Sequence, residues 1–134
     1  MTDIMDIEGI GKVFGAKLKE LGIGTVESLL KAGATPKGRK DLAEKSGARE
    51  AQILEWVNRA DLFRVKGIGE EYSDLLEAAG VDTVVELSKR RADNLHAKLV
   101  EVNGEKKLVR QLPTQNQVAA WIEHAKTLDR AVSY

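Results

Sequence analysis

Two short glycine clusters, Gly9-Ile10-Gly11 and Gly67-Ile68-Gly69, carry residue types whose spacing suits ligand binding. The first glycine of each permits a backbone conformation that a Cβ atom would hinder, and the second permits close approach of another group. We expect the isoleucine between them, Ile10 or Ile68, to fill the core and fix the turn. A helix that begins directly after each cluster would direct free N–H groups and its positive dipole end at the turn. This arrangement suits an anion such as the phosphate of a nucleic acid.

Other kinds of site are poorly supplied. The sequence contains no cysteine and two histidines, His96 and His124. This excludes disulfides, thiolate metal sites and a cysteine nucleophile, and it leaves little for zinc or for histidine catalysis. The Asp and Glu residues show neither metal-ligand spacing nor a paired-carboxylate pattern, and no Walker-type phosphate loop is present. We therefore expect a protein that is not an enzyme, with no cofactor, metal or small-molecule substrate.

The glycine clusters belong to an internal repeat, which must position them. Residues 7–29 and 65–87 align without a gap at an offset of 58, and 8 of these 23 positions are identical. Residues 53–60 recur as residues 118–125 at an offset of 65, so the second repeat carries seven extra residues. We place these between Leu95 and Pro113, around the turn-forming pair Asn103-Gly104. The repeat divides the chain into residues 1–64 and 65–134.

The apolar pattern of both repeats predicts helices. Phe14, Leu18 and Leu21 recur at i, i+4 and i+7, and the segments around Trp56 and Trp121 show the same spacing. Glycines mark the expected ends of helices, and threonines mark their starts: Gly22, Gly80, Thr25, Thr35, Thr83 and Thr114. Aromatic residues make up only 4% of the chain, so the core must be aliphatic. We predict an all-α fold in which two pseudo-symmetric repeats pack into one compact domain.

The patterns Gly9-Ile10-Gly11-x-x-x-Gly15-x-x-Leu18 and Gly67-Ile68-Gly69-x-x-x-Ser73-x-x-Leu76 resemble the helix-hairpin-helix motif. The longer pattern, which ends at the two tryptophan segments, resembles tandem helix-hairpin-helix domains. Such modules occur at the N-termini of recombinases and in the C-terminal domain of the RNA polymerase alpha subunit. The chain is also similar, over about residues 4 to 128, to a bacterial helix-hairpin-helix repeat family of unknown function.

The resemblance implies contacts between DNA phosphates and backbone amides of both clusters, at Gly9, Gly11, Lys12, Gly67, Gly69 and Glu70. The clusters differ in charge, however, because Lys12 and Lys19 of the first repeat correspond to Glu70 and Glu77 of the second. A glutamate at a helix start stabilises the helix but repels phosphate. We expect the first cluster to dominate. The candidate nucleic-acid-binding residues are Gly9, Ile10, Gly11, Lys12, Lys17, Lys19, Lys66, Gly67, Ile68 and Gly69.

Further basic residues form two groups that are open to two interpretations, a solvated helix face or a phosphate-binding stripe. The first group is Lys37, Arg39, Lys40, Lys45 and Arg49, and the second is Lys89, Arg90, Arg91, Lys106, Lys107 and Arg110. Acidic residues are interleaved with both, and the formal net charge of the chain is zero, with 21 basic and 21 acidic residues. This balance argues against a strongly electropositive surface but not against a local basic patch.

Two functional hypotheses remain open at this point. The first is a non-enzymatic module that binds double-stranded DNA through its phosphate backbone, independently of base sequence. The second is a protein–protein interaction or scaffold module, which the neutral charge and the acidic second cluster favour. The N-terminus carries no signal peptide, and no segment is apolar enough to span a membrane, so we expect a cytoplasmic protein. The sequence leaves the oligomeric state open.

Overall fold

The computed structural model of the chain describes residues 2–7 and 9–134, and in this part the chain is all-α. A 3-10 helix at Ile4–Asp6 precedes eight α-helices. The one β-type pairing among the described residues is an isolated bridge between Asp3 and Thr25. The helices are α1 (Gly11–Glu20), α2 (Val26–Ala32), α3 (Pro36–Ser46), α4 (Glu50–Leu62), α5 (Glu70–Ala78), α6 (Val84–Ser88), α7 (Ala92–Lys106) and α8 (Gln115–Thr127).

Local sequence explains most of these helix boundaries. Threonine hydroxyls accept the backbone N–H of the residue three positions later at the starts of four helices, namely at Thr25, Thr35, Thr83 and Thr114. Each such N-cap stabilises its helix by about 1 kcal/mol. Gly22 and Gly80 follow α1 and α5 with φ angles of 85° and 93°, as expected for left-handed residues at helix C-termini. The predicted caps are therefore confirmed.

The chain divides into two compact units, one of Met1–Asp61 with Arg130–Tyr134 and one of Leu62–Asp129. The repeat predicts a division into residues 1–64 and 65–134, which differs at the boundary and at the C-terminus. The C-terminal residues group with the first unit because Val132 is buried there and Ser133 pairs with Ala34.

Each unit has a buried aliphatic core. In the first unit it includes Ile4, Ile7, Ile10, Leu18, Val26, Leu29, Ile53 and Val57. In the second unit α6 and α7 both pack against α8, and the core includes Ile68, Leu75, Leu76, Leu87, Leu95, Leu99, Val118 and Ile122. Burial of an Ile or Leu side chain contributes about 1.5 to 3 kcal/mol, so these side chains hold the glycine clusters in place.

The prediction of a turn at Asn103-Gly104 is wrong. Helix α7 continues through both residues, and the chain leaves the helix at Lys107, which adopts a left-handed φ of 51°. The Asn103 side chain donates to the Val109 carbonyl (3.2 Å) and accepts the Val109 N–H (3.0 Å). Asn103 therefore holds the segment after the helix, and this contact outweighs its preference for turns.

Candidate functional site

The first glycine turn, residues 9–11, contains two glycines in left-handed conformations. Gly9 has a φ of 94° and Gly11 a φ of 68°. A Cβ atom on Gly9 would lie 3.5 Å from the indole Nε1 of Trp56, whereas one on Gly11 would meet no described atom within 4 Å. Ile10 between them is 1% exposed. The turn thus packs against the core at Gly9 and faces open space at Gly11.

Helix α1 begins at this turn with an N-terminus that lacks a side-chain cap. Its N-cap is Ile10, which makes no side-chain hydrogen bond to the helix. The first turn of α1 carries no acidic residue, and Lys12 and Val13 there are both exposed. The N–H groups at the start of α1 and the positive end of its dipole therefore lie beside an exposed lysine, which is a favourable environment for an anion.

The structure separates Lys17 and Lys19 from the first glycine turn. Both lie in the last turn of α1, which is about 7 to 11 Å along the helix axis from Lys12. The Lys19 ammonium lies 3.4 Å from a carboxylate oxygen of Asp3, whose other oxygen accepts the Met5 N–H at 2.8 Å. The Met5 hydrogen bond, and then Lys19, lower the pKa of Asp3 below its ordinary value. Lys12 is thus the one of these three lysines that adjoins the turn.

The second glycine turn, residues 67–69, resembles the first in its first half only. Gly67 has a φ of 93°, and a Cβ atom there would lie 3.0 Å from the indole Nε1 of Trp121. Gly69 has a φ of −119° and a ψ of −156°, a conformation that residues with a side chain also adopt. A Cβ atom on Gly69 would meet no described atom within 4 Å. The positive φ at the third position therefore distinguishes the first turn from the second.

The electrostatic surroundings of the second glycine turn are acidic. Helix α5 begins with Glu70 and Glu71, both exposed in its first turn. On the other side of the turn, the backbone N–H of Lys66 donates to His124 Nδ1 at 3.0 Å. His124 lies on α8, so this bond ties the second turn to the last helix of its unit. Sequence analysis treats His124 as a surface residue, because nothing near it in sequence indicates this partner.

The tryptophans support the turns from the core. Trp56 and Trp121 are buried, and each ring lies against a second aromatic ring. The ring centroids of Phe14 and Trp56 are 5.4 Å apart, and those of Tyr72 and Trp121 are 5.1 Å apart. Burial confirms the interpretation of both tryptophans as core residues, since neither ring face is open for stacking on bases.

Eight of the ten candidate binding residues are exposed, and two are buried. Ile10 and Ile68 are 1% and 5% exposed, so their side chains fill the core and do not face a ligand. Arg39 is also buried, and its guanidinium donates to the carbonyls of Gly33 (2.8 Å) and Ser133 (2.7 Å). Neither interpretation of the first basic group fits Arg39, because it lies neither on a solvated face nor in an accessible stripe.

No group of three or more histidine, aspartate or glutamate side chains in the described part of the chain could hold a metal ion. Among those same residues, no helix combines the length and the apolar character that crossing a membrane requires.

Comparison with known proteins identifies one family model, described as a domain of unknown function (DUF4332), which matches residues 8–128. No solved structure matches the chain.

Proposed function

Because the chain belongs to the DUF4332 family of domains of unknown function, we propose its function from the site itself: it is a non-enzymatic module that binds double-stranded DNA through the phosphate backbone. The proposed contacts are made by backbone amides at the first glycine turn, with Lys12 beside them. The carrying observation is the combination at Gly11 of a left-handed backbone, open space, an uncapped helix N-terminus and no acidic neighbour in the helix.

We interpret each glycine turn, with the helices around it, as a helix-hairpin-helix motif, and the two as a tandem repeat. Support comes from the eight identities between residues 7–29 and 65–87. Further support comes from the φ angles of Gly9 and Gly67, 94° and 93°, and from the indole nitrogen that faces each glycine. The aromatic pair beneath each turn has nearly the same ring separation.

Binding of this kind is independent of base sequence, because backbone amides and lysines contact phosphate and not base edges. With one favourable turn and a formal net charge of zero, the affinity should be in the range of non-specific DNA binding, roughly micromolar. The logarithm of the binding constant should fall by about 0.9 per logarithmic unit of salt for each phosphate that is neutralised.

Fluorescence anisotropy of a labelled duplex, titrated at low and at physiological salt, tests the proposal. We expect saturable binding that weakens with salt and is lost in the Gly9→Val/Gly11→Val variant. Circular dichroism must first show that this variant is folded, since valine at Gly9 would approach Trp56. The matched control is Gly104→Val, because Gly104 lies in α7 and a Cβ atom there meets no described atom within 4 Å. Absence of binding at low salt would refute the proposal.

A protein–protein interaction module is the second candidate function. It is favoured by the acidic start of α5, where Glu70 and Glu71 occupy positions that would repel phosphate. If the duplex does not bind at low salt, affinity capture with the wild-type chain and with a Glu70→Lys/Glu71→Lys variant tests this candidate. A partner retained by the wild type and lost by the variant would support it, and a partner retained equally by both would argue against it.

A further inference from the structure

The C-terminal segment Arg130–Tyr134 occupies a groove of the first unit between the start of α3 and helix α4. The backbone N–H and the hydroxyl of Ser133 donate to the Ala34 carbonyl at 2.8 and 3.1 Å. Arg39 donates to the Ser133 carbonyl at 2.7 Å, and the Tyr134 hydroxyl donates to Asn58 Oδ1 at 3.2 Å. This groove therefore accepts an extended chain segment, whose Val132 is buried.

The second unit contains a groove at the matching place, between the start of α7 and helix α8. The match rests on the tandem repeat proposed above, in which α3 corresponds to α7 and α4 to α8 at an offset of 65. Three positions on α4 that touch the C-terminal segment or line the space beside it, Glu50, Leu54 and Asn58, correspond to Gln115, Ala119 and Glu123. All three of these α8 residues line an open cavity of about 410 Å³, together with Ala92, the first residue of α7.

Side-chain differences explain why this cavity is larger than the space left beside the C-terminal segment in the first unit, which is about 320 Å³. The leucine of α4 at position 54 is replaced by Ala119 on α8, which removes a large apolar side chain from the groove. A cavity of about 410 Å³ lies within the range of about 300 to 1,000 Å³ of sites that hold ligands. The second groove thus has room for a chain segment.

The charges around the second groove indicate which segment it would take. Three cations line it, Arg90, Arg91 and Lys126, with two carboxylates, Asp93 and Glu123. The ion pairs Arg91–Asp93 (3.2 Å) and Lys126–Glu123 (3.0 Å) join side chains that are at least half exposed, and such pairs contribute about 0 to 1 kcal/mol. An incoming carboxylate can therefore exchange with them at little cost. By contrast, the first groove holds its segment with the buried Arg39, where α7 has Leu95 at the same position in the helix.

We propose that the groove between the start of α7 and α8 is a docking site for an extended, acidic peptide segment of a partner protein. An apolar side chain of the peptide fills the space above Ala119 and Ile122, and carboxylates on either side pair with Arg91 and Lys126. This site lies on different helices from the first glycine turn, so DNA and peptide binding can be tested separately.

The probe is a labelled hexapeptide that contains Val-Ser-Tyr, the sequence of residues 132–134, with glutamates on both sides. Its control replaces the glutamates with lysines. Anisotropy titration of the full chain should show saturable binding of the acidic peptide, at least tenfold tighter than that of the lysine peptide. The Ala119→Leu variant, which introduces the α4 residue at this position, should weaken binding at least tenfold. Its matched control, Ala120→Leu on the exposed face of α8, should bind as the wild type does.

Three results would overturn the proposal: no saturable binding of the acidic peptide, equal binding of the lysine peptide, or equal binding by Ala119→Leu and Ala120→Leu. Thermal melting must show that both variants are folded. Sedimentation of the chain without peptide supplies a further check. Self-association that Ala119→Leu prevents would assign the groove to a second copy of the chain, contrary to the proposal. Duplex binding should be the same in both variants, so failure here leaves the DNA proposal separately testable.

Discussion

The two glycine turns share their first half and differ in their second. Gly9 and Gly67 have nearly the same left-handed φ, and each faces the indole nitrogen of a buried tryptophan. After the buried isoleucine the turns diverge, because Gly11 is left-handed and precedes Lys12, whereas Gly69 is extended and precedes Glu70. The shared half meets the packing demands of the fold. The half that differs faces open space, where it is free to serve a ligand.

The core half of both turns should be the most sensitive to substitution. Ile10→Asp or Ile68→Asp would place a carboxylate without a partner in the core, which should cost more than about 4 kcal/mol and unfold the unit that contains it. Chemical denaturation followed by circular dichroism measures the loss. Ile10→Val and Ile68→Val, which remove one methylene group, should cost about 0.5 to 1.5 kcal/mol. Aspartate variants with unchanged stability would show that the isoleucines do not hold the turns.

The charge beside each turn should decide duplex binding. Lys12→Glu should lower the affinity roughly five- to tenfold and reduce the salt slope by about one, because it removes one phosphate contact. Lys66→Glu makes the same change of charge beside the acidic turn and should alter the affinity less than about twofold, the scatter of a residue without a phosphate contact. Anisotropy titrations over a range of salt concentrations give both quantities. Equal effects of the two substitutions would remove the distinction between the turns.

Giving the second turn the lysine of the first should add a weaker phosphate contact. Glu70→Lys should raise duplex affinity by about two- to fivefold and steepen the salt slope by up to about 0.9. The control is Glu105→Lys, at the exposed end of α7, which changes the net charge equally. If both variants gain equally, the gain comes from net charge and not from the turn. Loss of an acidic residue from the first turn of α5 should cost about 0.3 to 1 kcal/mol of stability.

The backbone difference between Gly11 and Gly69 should appear in stability. Gly11→Ala forces alanine into a left-handed conformation, which costs about 1 to 2 kcal/mol even though the side chain meets no neighbour. Gly69→Ala occupies an allowed conformation and should cost about 0.5 kcal/mol, because alanine is a poorer N-cap than glycine. Thermal melts of the two variants provide the comparison. An equal loss in both would mean that the two backbones are alike.

The smallest effect concerns the segment before the first turn, where Asp3 pairs with Lys19 on α1. The pKa of Asp3 is lowered in the folded state, so its contribution to stability is present above its unfolded pKa of about 3.9. That contribution is lost as the pH falls through the folded pKa. The difference in melting temperature between wild type and Asp3→Asn should therefore shrink as the pH is lowered from about 6 to about 3. A difference that grows at low pH would contradict this.

The sequence predicts the parts of the structure that depend on local chemistry. The threonine caps, the left-handed Gly22 and Gly80, and the burial of Ile10 and Ile68 all follow from residue type and spacing. Helical periodicity also places Trp56 and Trp121 in the core. In each case a preference within a few residues and the tertiary packing favour the same structure, which makes the prediction reliable.

Features that depend on distant contacts escape such prediction. Asn103 remains helical because Val109 pairs with its side chain, although Asn-Gly favours a turn. Arg39 is buried because Ser133, far along the chain, accepts its hydrogen bond. The different backbones of Gly11 and Gly69 also follow identical tripeptides, so their distinction arises from the surrounding structure. The sequence therefore identifies both glycine clusters but not the geometry that separates them.

The most direct test of the central claim is a two-dimensional amide NMR spectrum of the full chain, titrated with a short DNA duplex at low salt. The account predicts saturable shifts of the amides of Gly11, Lys12 and Val13, which reverse when salt is added. The amides of Gly67, Gly69 and Glu70 should move little in the same titration. Shifts confined to the second glycine turn, or no shifts at either turn at low salt, would contradict the claim that the first turn binds phosphate.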